Sequence, residues 1–432
     1  MNQPVSSFDR RTATTIVIAN MIGTGVFTSL GFQLMDITNP SIILFLWIIG
    51  GVIAFCGALC YAELGSAYPR SGGEYNFLRE TYHPAAGFIS GWVSVTVGFS
   101  APTAAVSMTA CAYLQTIFPH LPIKLTSITL VVVVGAFHLA NRGYSAAFQQ
   151  IMTFTKITFI FLFMILAWLA TSEYQLLSWD ITKDDIISVE ASAVAVALIF
   201  VNYAYTGWNA ATYLIGEMSN PKRDLPKALL YGTGFVTLLY VFLHITFLYI
   251  APMDEMKGKV EIAGIVADHA FGTERSWFIS GMLSILLVST ISAMMIAGPR
   301  AMQVIGQDFP AFGLLAKTDE SGLPYIAIIS QMLITIVLIA TSGFEQIIVF
   351  AGSLLALNSL LTVMGVLILR QRNPHQSTTF SMPLYPLPVL GYSLIIGATL
   401  VYALASRPTE AAIVAAVILS GAFIYKTSLS KY

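Results

Sequence analysis

A short stretch near the start of the chain, Ile22-Gly-Thr-Gly-Val-Phe27, places two glycines around a hydroxyl side chain. It lies in an apolar run from about Thr12 to Leu34, which is long enough to cross a bilayer. Each glycine weakens a helix interior by about 1 kcal/mol relative to alanine. Backbone groups that a break frees in lipid must find partners or line a wet cavity. The stretch therefore predicts a broken helix whose N–H groups could hold an anion, while close helix packing is the alternative explanation of Gly23 and Gly25.

Lys156 is a second residue whose chemistry stands out, because it lies about ten residues into another apolar run. This depth corresponds to about 15 Å within a hydrocarbon core about 30 Å thick. A lysine there costs about 2.5–3.5 kcal/mol on insertion scales, so intramembrane charges indicate functional sites. No carboxylate is comparably deep, and we expect Lys156 to bond carbonyls of the broken helix and hydroxyls of a later span, such as Ser289 and Ser292. A static tether between helices is the alternative role.

The composition identifies the setting of these residues as a lipid bilayer. The 432 residues are 56% hydrophobic and 10% charged, against about 25% charged in soluble domains, and the mean hydropathy is +0.76. A net charge of −1 without a basic tail gives no indication of nucleic-acid binding. Three cysteines in apolar runs predict neither a disulfide framework nor a metal site. We expect a polytopic membrane protein without a cofactor.

Apolar stretches of about 20 residues predict twelve membrane spans. Their approximate bounds are 12–36, 41–67, 84–118, 125–142, 146–171, 190–216, 225–252, 275–305, 324–341, 344–369, 383–406 and 409–426. An even number of spans puts both termini on one side of the membrane. With the termini inside, the cytoplasmic segments hold 14 of the 21 lysines and arginines, and this bias predicts cytoplasmic termini by the positive-inside rule.

A polar interruption at residues 200–209 gives the first broken helix a counterpart. It reads Phe200-Val-Asn-Tyr-Ala-Tyr-Thr-Gly-Trp-Asn209, at the middle of the sixth span. Many transporters consist of two inverted repeats whose interrupted helices mark the binding site. The spacing of five spans predicts one transporter domain over residues 1–432, with repeats at 12–171 and 190–369 and peripheral helices at 383–426.

Four stretches also carry a family resemblance. They are Ile22–Phe27, Ala62–Tyr75 with Glu80, Ala204–Asn209 with Asn220–Pro226, and Gly298–Arg300 through Asp308. In order and spacing they resemble the amino acid–polyamine–organocation superfamily, and Ala-Tyr-Thr-Gly-Trp-Asn resembles its L-type amino acid transporter branch. The resemblance implies the LeuT fold, L-amino acid substrates and sodium-independent exchange by alternating access.

The two interruptions then divide the recognition of an amino acid between them. The N–H groups around Thr24 and Gly25, with the Thr24 hydroxyl, are expected to bind the substrate carboxylate at the positive end of a half-helix. By resemblance, the substrate ammonium binds freed carbonyls of these two breaks. The full set of expected substrate-binding residues is Met21, Ile22, Gly23, Thr24, Gly25, Tyr203, Ala204, Tyr205, Thr206 and Gly207.

Two further roles follow from the resemblance. Tyr203 takes the place of a gating aromatic, although an ordinary core aromatic is a serious alternative. Lys156 places its ammonium where sodium-coupled relatives bind a cation, which would remove the sodium requirement. The loop Phe118–Lys124 lacks the cysteine through which heteromeric members join a heavy chain, so no disulfide-linked partner is expected.

Other functions fit the sequence less well. A proton-coupled amino acid or polyamine permease is the nearest alternative to a small or neutral L-amino acid exchanger, because the buried amine of Lys156 could titrate. The deep membrane, however, lacks the carboxylates that a polyamine would need. An enzyme would need clustered catalytic groups, whereas the six histidines are scattered. A channel is disfavoured because two interrupted helices build an occluded site better than a continuous pore.

Overall fold

The computed structural model of the protein describes residues 9–140, 146–182, 189–320, 322–372 and 380–429. Within these ranges the chain is helical and contains no β-strand, so the predicted all-α fold class is confirmed. The helices are α1 (Arg10–Met21), α2 (Gly25–Gln33), α3 (Pro40–Ala67), α4 (Glu74–Thr81), α5 (Pro84–Val93), α6 (Ser100–Ile117), α7 (Ile123–Ala140), α8 (Ala146–Ala170), α9 (Ala191–Tyr205), α10 (Pro221–Ile250), α11 (Met253–Met256), α12 (Ile262–Phe271), α13 (Thr273–Asp308), α14 (Tyr325–Thr341), α15 (Phe344–Arg372), α16 (Leu387–Ser406) and α17 (Pro408–Leu429). A π-helical turn, Ser94–Gly98, joins α5 to α6, and 3₁₀ helices follow α9 (Ala210–Glu217) and α13 (Pro310–Ala316).

The long helices carry the apolar surface of a multi-pass membrane protein. Eleven helical segments of the described chain are long and apolar enough to cross a bilayer. Large apolar side chains point away from the protein along them, such as Leu169, which is 78% exposed, and Phe154, which is 71% exposed. The ninth predicted span corresponds to α14, whose 17 residues are at the lower limit of about 17–25 for a crossing. The count of twelve spans therefore stays a prediction.

The first span is interrupted at the predicted position. Helix α1 ends at Met21, and α2 begins at Gly25. The two glycines act differently, because a Cβ on Gly25 would lie 2.5 Å from the Cα of Ala204, whereas a Cβ on Gly23 would meet nothing nearer than 4.0 Å. Gly25 therefore permits close helix packing, the alternative that the sequence left open, while the chain leaves the helix at residues 22–24.

The sixth span is interrupted as well, and it touches the first interruption. Helix α9 ends at Tyr205, and Gly207 follows with a φ of +99°, in the left-handed region that favours glycine. A Cβ on Gly207 would lie 2.6 Å from the carbonyl carbon of Asn20. The two breaks therefore cross in direct contact, with α2 along α9 and α1 against the 3₁₀ helix.

The helices predicted to be peripheral differ from each other. Helix α16 packs against α3, α9 and α15, and its Tyr392 is fully buried. Helix α17 buries a much smaller share of its apolar surface. The assignment of 383–426 as peripheral helices stays a prediction, as does the division into repeats over 12–171 and 190–369.

The close approach at Gly25 yields a stability prediction. A Gly25→Ala change forces apart backbone atoms of two helices, and overpacking of this kind costs about 1–3 kcal/mol. We expect the purified protein to show a lower thermal midpoint in detergent, while Gly23→Ala, the matched control with open space around it, leaves the midpoint unchanged. Equal midpoints for the two variants would contradict the described contact between the breaks.

Candidate functional site

A cavity of about 360 Å³ adjoins the second interruption. This volume is within the range of about 300–1,000 Å³ that small-molecule sites occupy. Residues of α1, α6, α13 and α15, the π-helical turn and the chain on both sides of Gly73 line it. The cavity extends from the break towards the side of the molecule that carries α4, which the charge distribution predicts to be cytoplasmic.

The expected substrate-binding residues lie at the apex of this cavity or just beyond it. Thr206 and Gly207 line the cavity. The other eight do not line it, because the half-helices α2 and α9 are packed together beyond this point. They are Met21, Ile22, Gly23, Thr24, Gly25, Tyr203, Ala204 and Tyr205. In this conformation the cavity thus reaches the second break and stops at the first.

Most of the carbonyls expected to bind the ammonium already accept hydrogen bonds within the protein. Tyr240 donates its hydroxyl to the carbonyls of both Met21 and Ala204. The Tyr203 carbonyl accepts both the N–H and the hydroxyl of Thr206, at 3.0 and 2.6 Å. Among the described residues, no donor reaches the Thr206 carbonyl. The structure therefore favours Thr206 over the other expected acceptors in this conformation.

The N–H groups of Thr24 and Gly25, at the start of α2, are without an acceptor among the described residues, as the sequence predicts. The first N–H groups of a helix have no partner within the helix, and those of Thr24 and Gly25 have no acceptor elsewhere among the described residues. The Thr24 side chain, 2% exposed, makes no capping hydrogen bond. Two buried donors at the positive end of a half-helix fit a carboxylate.

Lys156 bridges three elements at the first break, and one of its expected partners is present. The Lys156 ammonium, on α8, donates to the Ile22 carbonyl at 3.1 Å and to the Thr290 hydroxyl of α13 at 2.7 Å. The side chain is buried, and no carboxylate of the described chain forms an ion pair with it. Its two hydrogen-bond partners among the described residues are neutral oxygens, whose dipoles stabilise the charge.

The expected hydroxyl partners Ser289 and Ser292 do not bond Lys156. Ser289 donates to the Leu286 carbonyl at 2.6 Å, and Ser292 bonds His138 at 3.0 Å. Successive residues of a helix point about 100° apart, so only one of these neighbouring hydroxyls faces α8. That residue is Thr290, which bonds the Lys156 ammonium where the two serines were expected to.

The side of the breaks opposite the cavity is closed. Phe32 of α2 stacks on Phe200 of α9 with ring centroids 5.2 Å apart, and on Phe344 of α15 at 5.6 Å. Ser29 adds a hydrogen bond to the Phe200 carbonyl at 3.3 Å. The candidate gate Tyr203 is buried on this same half and packs near Gly352. Access to the site is therefore one-sided.

Glu74 forms a polar cluster in the cavity wall that sequence reasoning missed. The carboxylate is buried, with 3% of Glu74 exposed, and it accepts five hydrogen bonds from neutral donors. The donors are the Tyr61 hydroxyl at 2.7 Å, the Asn209 amide at 2.9 Å, the Tyr213 hydroxyl at 2.8 Å, the Asn358 amide at 3.1 Å and the Ser359 hydroxyl at 3.1 Å. This Glu74 cluster ties the second half of the sixth span to α3, α4 and α15.

A separate ion-pair group closes the end of α13 nearby. Asp308 accepts from Arg70 at 2.7 Å and from Arg79 at 3.4 Å, and the Tyr75 hydroxyl also donates to it. Burial, followed by the bond to Asp308, raises the pKa of Tyr75 to about 12, so Tyr75 remains a donor at neutral pH. The loop charges of this region thus divide between two distinct clusters.

Interrupted helices that cross at a one-sided cavity define a helical membrane transporter. A family model described as amino acid permease matches residues 8–423, and the chain therefore belongs to the amino acid permease family. It is 25% identical over 419 residues to the large neutral amino acids transporter small subunit 2 of Rattus norvegicus, covering 95% of this chain and 78% of the relative. It is 26% identical over 399 residues to the serine/threonine exchanger SteT of Bacillus subtilis, covering 90% of each chain. It is 25% identical over 423 residues to the Asc-type amino acid transporter 1 of Mus musculus, covering 96% of this chain and 79% of the relative.

The Glu74 cluster yields a prediction about both folding and transport. In Glu74→Gln, one acceptor oxygen becomes an NH₂ group, so at least two buried donors lose their acceptor at about 1–3 kcal/mol each. We expect a thermal midpoint lower by several degrees and at least tenfold slower amino acid transport in proteoliposomes. Glu80→Gln, on the exposed face of the same helix, is the control and should behave as wild type. A Glu74→Gln protein with unchanged midpoint and rate would show that the cluster is dispensable.

Proposed function

We propose that the protein is a sodium-independent exchanger of small or neutral L-amino acids that works by alternating access in the cell membrane, with both termini in the cytoplasm. The observation that carries this proposal is the Lys156 ammonium, bonded to the Ile22 carbonyl at the first break. A covalently attached cation at this place supplies a positive charge and a hydrogen-bond donor in every state of the cycle. A sodium ion is then not required there.

The two breaks supply complementary groups for the common part of every amino acid. The substrate carboxylate binds the N–H groups of Thr24 and Gly25, where the half-helix dipole favours negative charge. The ammonium binds the Thr206 carbonyl, which no described donor occupies. For these groups to meet one substrate, the contact between Gly25 and Ala204 must open slightly. The side chain of the substrate is then left in the cavity.

In alternating access, the two halves of the broken helices act as separate gates, one on each side of the substrate site. In the conformation described, the stack of Phe32, Phe200 and Phe344 closes one side, and the cavity is open towards α4. In the opposite conformation the Phe32 stack separates, with Tyr203 as the aromatic that covers the substrate, and the cavity collapses.

The relatives support this class of substrate. Their names describe exchange of serine and threonine, or transport of large neutral amino acids. Because identities of about 25% do not transfer a substrate list, the proposal extends to small or neutral L-amino acids as a class. We further propose that the chain works without a disulfide-linked partner, since Cys56 and Cys60 lie in α3 and Cys111 in α6, with none in the loop after α6.

Reconstitution tests the function directly. We expect uptake of radiolabelled L-serine into proteoliposomes to require unlabelled L-serine inside, and to proceed equally in sodium and in choline buffers. Empty liposomes and liposomes preloaded with an unrelated sugar are the controls. Uptake into empty liposomes driven by a pH gradient would replace this proposal with the proton-coupled permease. Dependence on sodium would refute it.

Lys156 tests the role of the fixed cation. Lys156→Met keeps the length and apolar stem of the side chain but leaves the Ile22 carbonyl and the Thr290 hydroxyl without their donor. We expect exchange at least tenfold slower than wild type, and a smaller loss for Thr290→Val, which keeps the charge. Exchange rates are measured with equal amounts of monodisperse protein. A Lys156→Met protein with wild-type exchange in choline buffer would disprove the coupling role.

A further inference from the structure

Arg300 is an unpaired cation in the wall of the cavity. It lies on α13 and is exposed, and among the described residues it makes neither an ion pair nor a side-chain hydrogen bond. The arginines Arg70, Arg79 and Arg370 in the same half of the molecule all pair with carboxylates. A guanidinium left without an anion at the lining of a cavity is a receptor for a planar carboxylate.

The position of Arg300 separates it from the site at the breaks. It lies ten residues beyond Thr290, the partner of Lys156, which corresponds to about 15 Å along the helix. Its neighbours on the cavity face of α13 are Ala297, Ala301 and Val304, which are apolar and offer it no competing anion. A carboxylate held by Arg300 is therefore too far away to bind the N–H groups of α2 at the same time.

The Glu74 cluster gives the cavity a charge opposite in sign to that of Arg300. Glu74 and Arg300 are the two charged residues among those that line the cavity in the described chain. Asn209, Tyr213 and Ser359 line the cavity beside Glu74 and donate to its carboxylate. The negative charge of Glu74 favours an ammonium group at this wall, whereas Arg300 favours a carboxylate. An amino acid carries both of these groups.

We propose that the cavity holds a second, weaker amino-acid-binding site in which Arg300 receives the α-carboxylate and the polar wall at Glu74 receives the ammonium. Substrate that enters from the α4 side is captured there before it moves to the breaks. The inference rests on the proposed function, because its ligand is the same class of amino acid. It concerns the cavity wall and not the breaks, and it affects KM on the α4 face and not the maximal exchange rate.

The test is the concentration dependence of exchange on each face of the membrane. In proteoliposomes whose protein orientation is established by protease accessibility, L-serine is varied on one face and held saturating on the other. For Arg300→Gln we expect KM on the α4 face to rise five- to tenfold, while KM on the opposite face and the maximal rate stay within twofold. Arg300→Lys keeps the charge but not the planar fork, so it should raise KM on the α4 face less than Arg300→Gln does. The matched control is Arg223→Gln, which removes an exposed arginine of the same side that does not line the cavity.

The outcomes separate this inference from the proposed function. If wild-type protein neither exchanges nor binds L-serine, both fail. If wild type exchanges normally and Arg300→Gln leaves KM on the α4 face unchanged, raises KM equally on both faces, or gives the same shift as Arg223→Gln, the second site alone is wrong. The measurement is repeated in liposomes of neutral phosphatidylcholine. Loss of the Arg300 effect there would show that the guanidinium binds anionic lipid headgroups, which would also overturn the site.

Discussion

The structure depends on satisfying backbone groups at two helix interruptions that lie at the depth of a bilayer core. In a bilayer core, each N–H or C=O group that has no partner and lines no wet cavity costs several kcal/mol. Tyr240 resolves part of this problem by donating to carbonyls of both breaks, at Met21 and Ala204. Lys156 resolves another part at Ile22. The N–H groups of Thr24 and Gly25 have no acceptor among the described residues, and a substrate carboxylate is the partner that we propose for them.

This arrangement makes the transporter sensitive to how its two halves pack. The glycine at position 25 brings α2 against α9, and the stack of Phe32, Phe200 and Phe344 holds that half together. On the other half, the second part of the sixth span is anchored through Asn209 and Tyr213 to the Glu74 carboxylate. One half is thus closed by apolar contact and the other is held open by a polar cluster. Apolar contacts and polar contacts respond differently to the binding of a charged ligand. This difference suits a transporter in which one half closes while the other half opens.

Several expectations from the sequence depended on local information, and these agree with the structure. The interruption near Gly23 follows from glycine spacing, and the interruption near Gly207 from counting five spans onward to a polar, glycine-bearing stretch. The depth of Lys156 follows from counting along its helix. The hydrogen-bond partners of Lys156 were harder to predict from the sequence, because in lipid the outward face of a helix is as apolar as the inward face. Hydrophobic periodicity then says little about which residues face a neighbour, and Ser289 and Ser292 were expected where Thr290 is present.

By itself, the sequence determined the all-helical membrane class, the two interruptions and the intramembrane cation, because each is a property of one contiguous segment. Only the tertiary structure decided which side of the breaks is closed and which carbonyls remain open. It alone revealed the Glu74 cluster, whose donors lie up to 285 positions from Glu74 along the chain. The physical reason is that a buried carboxylate is stable only when several donors surround it. Donors from three distant segments meet at Glu74 only after the helices have packed.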